Sequence, residues 1–123
     1  MLKQKIEHFF AKAFAERKGQ VCIVKDVLAA SLDKWSLFIM YNLGYYEVMR
    51  FNTLKTKIRG ISARMLSQSL KRLEGNGFVQ RKVYPEVPMR VEYSLTELGK
   101  EFSSRLIDLS QWYIDHYQEQ SQD

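Results

Sequence analysis

The sequence predicts a mainly α, α+β chain: helix, turn, helix, then a two-stranded hairpin, with a further helix at each end. Three observations predict it. Ser62 opens an amphipathic stretch in which Leu66, Leu70 and Leu73 recur at i, i+4, i+7, and which stops at Gly75-Asn76-Gly77. A two-turn apolar pattern, Phe51, Leu54, Ile58 and Ile61, precedes it across the short turn Arg59-Gly60-Ile61. Two alternating stretches, Phe78–Tyr84 and Met89–Leu95, follow it and meet at Pro85-Glu86-Val87-Pro88. This order is that of a winged helix-turn-helix domain.

Each element has its own warrant. Leu2, Ile6, Phe9, Phe10, Ala13 and Phe14 give residues 2–18 an apolar helical stripe, ended by Gly19-Gln20. So many phenylalanines on one short terminal helix must be covered, by its own domain or, as we prefer, by a second copy. Val21-Cys22-Ile23 reads as extended. Val24, Val27, Leu28 and Leu32 suggest a second helix, and Asp33 is placed to cap the next, Lys34 to Leu43, which Gly44 closes. Trp35, Leu37, Phe38, Ile39, Met40, Tyr41 and Leu43 make that helix the buried centre, with Trp35 its largest contribution. Tyr45–Arg50 is a connector with a possible short strand.

In 51–74, Ser62 has the hydroxyl that an N-cap needs. The helix face opposite the leucines carries Arg64, Gln68 and Lys71, flanked by Ser67 and Arg72, with no acid on its first half. Arg and Gln can hydrogen-bond base edges in a major groove, while Ser and Lys hold phosphates. Thr53 and Lys55 point outward from the preceding helix. In the hairpin, 78–95, two prolines stiffen the tip. Lys82 and Arg90 are expected at its base, and Arg81 and Arg90 are either phosphate or minor-groove contacts or solvated strand residues. Thr96 and Glu97 start the last helix, 96–120, whose stripe of Leu98, Phe102, Leu106, Leu109, Trp112 or Tyr113, and His116 or Tyr117 is long enough to project past a small domain.

Composition fits one domain, 1–123. The chain is 46% apolar with a net charge of +5. From Arg50 to Arg90, ten basic side chains meet only Glu74 and Glu86, a local +8; from Thr96 onward the balance is −4. A basic middle suits a polyanion, here double-stranded DNA, and an acidic end suits other work. No apolar run is long enough to span a bilayer, and charges interrupt any signal-peptide core at the N-terminus. The lone cysteine, Cys22, excludes an intrachain disulfide, so the cytoplasm is the expected location.

Lys34-Trp35, Arg50-Phe51-Asn52-Thr53-Leu54, Gly60-Ile61-Ser62, Leu66-Ser67-Gln68, Leu70, Leu73-Glu74 and the run Val83–Gly99 resemble the HxlR-type family of bacterial transcriptional regulators over about Cys22 to Phe102. The resemblance implies a winged helix, a homodimer formed through terminal helices, and an inverted-repeat operator. The dimer residues it points to are Ile6, Phe9, Phe10, Phe14, Leu106, Leu109, Trp112 and Tyr113. Several members respond to oxidants or electrophiles through a cysteine at the position of Cys22. This chain departs from the common pattern at Ile23 and Asp33, and its connector from Gly44 to Phe51 is about one residue longer. Cys22 therefore stays open between a redox-sensing thiol and a buried apolar one.

Other chemistries fare worse. His8 and His116 lack metal-ligand spacing, so no metal or cofactor is expected. There is no phosphate-cradling loop or nucleophile elbow, so the chain is not read as an enzyme. Asp108 and Asp115 share a face of the last helix with no cleft beside it. Tyr45, Tyr46, Trp35, Trp112 and Tyr113 line a small-molecule pocket or are simply core, and an effector remains open. A protein-interaction adaptor and a non-specific architectural DNA-binding protein are the alternative functions.

Overall fold

The computed structural model describes residues 1–15 and 28–121. Cys22, and the extended and helical stretches expected around it, lie outside the described residues. The chain divides into two units, Met1–Lys34 and Trp35–Asp123. In the first, helix α1 covers Leu2–Ala15, and a 3-10 turn covers Ala29–Ser31. Ile6, Phe9 and Phe10 of α1 are exposed, with the two phenyl rings 5.8 Å apart. The side chain of Phe14 is outside what the structure describes.

The second unit runs α2 (Lys34–Tyr46), α3 (Phe51–Lys57), α4 (Ala63–Gly75), β1 (Val79–Tyr84), β2 (Arg90–Leu95) and α5 (Glu97–Ser121). The two strands pair antiparallel, Val79 opposite Leu95 and Tyr84 opposite Arg90. Met49 adds an antiparallel bridge on the other side of β2, exchanging two backbone hydrogen bonds with Tyr93 at 3.0 and 2.8 Å. The expected short strand in the connector is this single rung. Helix, turn, helix and hairpin follow the order of a winged helix-turn-helix.

The core of this unit gathers one face from each of its elements. Ile39, Met40 and Leu43 come from α2, Leu54 from α3, Leu66, Leu70 and Leu73 from α4, Phe78 and Val79 from the hairpin's start, Leu95 from its end, and Leu106 from α5. Burying each leucine stabilises the fold by about 1.5–3 kcal/mol. The stripe read from sequence is thus the buried face of α4.

Several expectations are corrected here. Gly44 does not close α2, which continues to Tyr46; the turn is made by Glu47, at φ +71°. A side chain at 44 would reach ordinary contact with Leu95, so the helix passes close to β2 there. Trp35 is only half-buried, and Ser36, Ile39, Met40 and Leu43 are the enclosed residues of α2. The alternation of β1 buries Val79, but Val83 is 45% exposed, because the outer half of the hairpin has left the core.

The hinge between hairpin and α5 is fixed by backbone. Thr96 caps α5 by accepting from the Gly99 amide at 3.0 Å, and its own hydroxyl donates to the Gly77 carbonyl. A Cβ at Gly99 would stand 2.0 Å from the Phe78 carbonyl oxygen, so only glycine lets α5 approach the hairpin this closely. Phe102 stacks on Phe78 at 4.4 Å beneath this joint.

Candidate nucleic-acid interface

Helix α4 starts as its sequence dictates. Ser62 is extended, at φ −80° and ψ 159°, and its Oγ accepts from the Met65 amide at 3.1 Å. This satisfies one of the first-turn donors. The Ser62 hydroxyl keeps its own proton to donate outward. At the other end Asn76 returns its amide to Arg72, and Gly77 takes φ +84°, a backbone that glycine adopts without penalty.

With the leucines buried, α4 turns Arg64, Gln68 and Lys71 to solvent. Among the described residues none of the three has an ion-pair or hydrogen-bonding side-chain partner. No carboxylate shares their face until Glu74, which lies 3.9 Å from Arg81 of β1. Thr53 and Lys55 are exposed on α3, and Thr56 folds back to the Asn52 carbonyl at 2.9 Å. Ser67 is half-buried in a cleft where α4 meets the hairpin, with Leu70, Lys71, Glu74, Arg81 and Tyr93. Burial there raises the Tyr93 phenol above its usual value; Arg81 opposes this and Glu74 adds to it.

Arg72 is placed differently from its neighbours. It is half-buried, and its Nη2 donates to Ser36 Oγ of α2 at 3.3 Å. Ser69, fully buried one turn earlier, shows why. The buried arc of α4 is wider than its leucines on that side, and Arg72 lies at its edge.

The wing is also corrected. Lys82 and Arg90 do not sit at the base of the hairpin: Lys82 pairs opposite Glu92 in mid-strand, and Arg90 opposite Tyr84 at the last rung before the tip. Arg90 lies 3.3 Å from Glu86 and 3.9 Å from Glu92, with its guanidinium 3.9 Å from the centre of the Tyr84 ring. Lys82 Nζ approaches the same ring at 4.9 Å. At the tip Val87 and Met89 are exposed, a feature that no periodicity marks; Met65 is likewise exposed on α4, out of register with the leucines.

On α5 the expected apolar stripe splits. Leu106 is 7% exposed and belongs to the core of its own fold, so it is withdrawn from the proposed dimer surface. Ser110, one turn on, bonds Tyr41 at 2.8 Å and continues that inward face. Leu109, Trp112 and Tyr113 are exposed, as are Ile107, Ile114 and Tyr117. Of the aromatic residues considered for a pocket, Tyr45 lines a cleft between α2 and α5, beside Asp108, for which no cleft had been foreseen. Tyr46 is exposed and stands edge-on to Tyr45 at 4.8 Å.

The model of the HxlR-like helix-turn-helix family matches residues 31–122. The chain belongs to this family. It is a transcriptional regulator with a helix-turn-helix domain, and the family implies DNA binding. The HTH-type transcriptional regulator YtfH of Escherichia coli is 41% identical over 99 residues, 80% of this chain and 75% of that protein. The structure of the transcriptional regulator ytfH from Salmonella typhimurium superimposes with a TM-score of 0.70 at 36% identity, covering 85% of this chain and 97% of that one. The redox regulator HypR in its reduced form gives 0.68 at 33% identity, covering 76% and 92%. These relatives are regulators rather than enzymes. Among the described residues no helix is long and apolar enough to cross a membrane.

Proposed function

We propose that this HxlR-type chain acts in the cytoplasm as a homodimer that binds an inverted-repeat operator through α4. The carrying observation is the solvent face of α4: Arg64, Gln68 and Lys71 are exposed, unpaired among the described residues, and free of any acid up to Glu74. In a major groove, Arg64 and Gln68 donate to base edges, while Lys71, Ser67 and the Ser62 hydroxyl meet phosphates. Thr53 and Lys55 reach the neighbouring backbone. The wing adds Arg81 and Lys82; Arg90, already neutralised by Glu86 and Glu92, stiffens the tip and contributes less charge. Arg72 anchors α4 on α2 and is not among the DNA contacts.

The dimer forms through exposed apolar side chains at both ends, Ile6, Phe9 and Phe10 of α1 and Leu109, Trp112 and Tyr113 of α5. Two copies of α4 then meet half-sites about one helical turn apart, roughly 34 Å. Likeness to the redox regulator HypR supports a second element of the proposal, that oxidation at Cys22 changes operator affinity.

The test is selection of bound duplexes from a random pool with the reduced protein, repeated after mild oxidation and with Cys22→Ser. The expected result is an enriched inverted repeat, lost on oxidation in the native chain and retained in the variant. Binding without sequence choice that vanishes at moderate salt would replace this reading with a non-specific architectural one. Retention of the repeat after oxidation would remove Cys22 from the mechanism.

A further inference from the structure

A cleft of about 500 Å³ separates α2 from α5 on the second unit, within the size range of small-molecule sites. Its walls are apolar: Met40 and the Tyr41 ring from α2, Leu95 from β2, and Ile107 from α5. Tyr45 stands at the rim, 80% exposed. Apart from the tyrosine hydroxyls, the polar side chains are on α5, and they are graded. Lys100 lies at one end, Ser103 and Ser104 follow, and Asp108 lies at the other. Eight residues of helix separate the two charges by roughly 12 Å along the axis.

Ser103 is the informative member. It is only 6% exposed, and its Oγ is buried with no hydrogen-bond partner among the described residues. A buried hydroxyl left unpaired costs free energy, and a small movement of Ser103 toward a ligand group in the cleft would relieve that cost. The neighbouring serine at 110 shows the usual alternative, since its Oγ donates to the Leu106 carbonyl at 2.7 Å. Lys100 pairs with Glu97 at 3.3 Å, but Glu97 is 92% exposed, and such a surface pair exchanges readily for a better anion.

We propose that this cleft binds a small amphipathic acid with an apolar, ring-sized body. Its carboxylate sits at the Lys100 end, where Ser103 and Ser104 add hydroxyl donors. Its body fills the space between Met40, Tyr41, Leu95 and Ile107. A hydroxyl or amino donor at its far end faces the Asp108 carboxylate. Opposite charges at the two ends of one apolar slot fix the direction of the ligand. The site is separate from the proposed DNA contacts: its only hairpin residue is Leu95, at the inner end of β2 and buried, and none of its residues lies on α3 or α4.

Fluorescence titration of the full chain with 6-hydroxy-2-naphthoate tests this, with 2-naphthoate and 2-naphthol as one-ended controls. Lys100 and Asp108 are exposed, so Lys100→Gln and Asp108→Asn leave the fold intact. Lys100→Gln is expected to weaken both naphthoates at least about fivefold, the loss of one charge-assisted hydrogen bond, and to leave 2-naphthol unchanged. Asp108→Asn is expected to weaken the two hydroxylated probes similarly and to leave 2-naphthoate unchanged. Absence of saturable binding would overturn the proposal. So would affinities that neither substitution, or only one, affects, since the probe would then sit elsewhere, as on the exposed aromatic end of α5.

Discussion

On α4, Arg64, Gln68 and Lys71 stand exposed and unpaired among the described residues; on the wing, Arg90 is held between Glu86 and Glu92 across the Tyr84 ring, and Arg81 faces Glu74. Both regions are basic in sequence, yet they hold their charge differently. The helix presents cations that any approaching phosphate or base can take at no cost in broken pairs. On the wing Arg81 and Arg90 are already partnered, so a phosphate there must compete with carboxylates, and only Lys82, beside the Tyr84 ring, is without a carboxylate among the described residues. Local net charge therefore overstates what Arg81 and Arg90 contribute, which is why the proposal assigns base readout to α4.

The comparison can be broken most drastically by unseating the helix. Leu70→Ala empties a site that is 2% exposed and is expected to destabilise the fold by about 2–5 kcal/mol in denaturant melts. Unfolding would abolish the α4 contribution and the wing's together. Arg72→Ala tests the anchor: loss of its bond to Ser36 is expected to cost roughly 1–2 kcal/mol of stability, with the salt dependence of DNA binding unchanged. A flattened salt dependence would return Arg72 to the DNA surface. Ser62→Ala removes the cap seen at Met65 and is expected to lower stability by about 1 kcal/mol.

The finest distinction is between Lys71 and Arg90. Lys71→Ala is expected to lower the salt slope of binding by about 1, the mark of one phosphate contact. Arg90→Ala is expected to lower it markedly less, because Glu86 and Glu92 already neutralise the guanidinium. Equal slopes in the two variants would erase the proposed difference between helix and wing.

Much of this was legible in the sequence. The Ser62 cap, the leucine stripe, the stop at Gly77 and the two-strand pattern each follow from local chemistry, and the elements formed where those signals stood. What was not legible depends on neighbours in space. Arg72 lies about 60° around the helix from Ser69, and nothing in sequence says that a serine is fully enclosed. Leu106 joins the core because α5 is apolar on more than one side, and periodicity alone cannot choose which side the fold takes. Arg90 was placed at the wrong end of the hairpin because its register became clear only from the strand pairing. The cleft beside Asp108 cannot be read from α5 alone, because its other wall comes from α2, more than sixty positions away.

The most direct test of base reading by α4 compares the selected operator with its single-base variants, bound by the native chain, Arg64→Ala and Gln68→Ala. The expected result is that each substitution abolishes discrimination at one base position per half-site, by ~1–3 kcal/mol, and leaves the other positions unchanged. Equal loss on operator, variants and random DNA would contradict it and leave the exposed face of α4 as a phosphate-binding surface only.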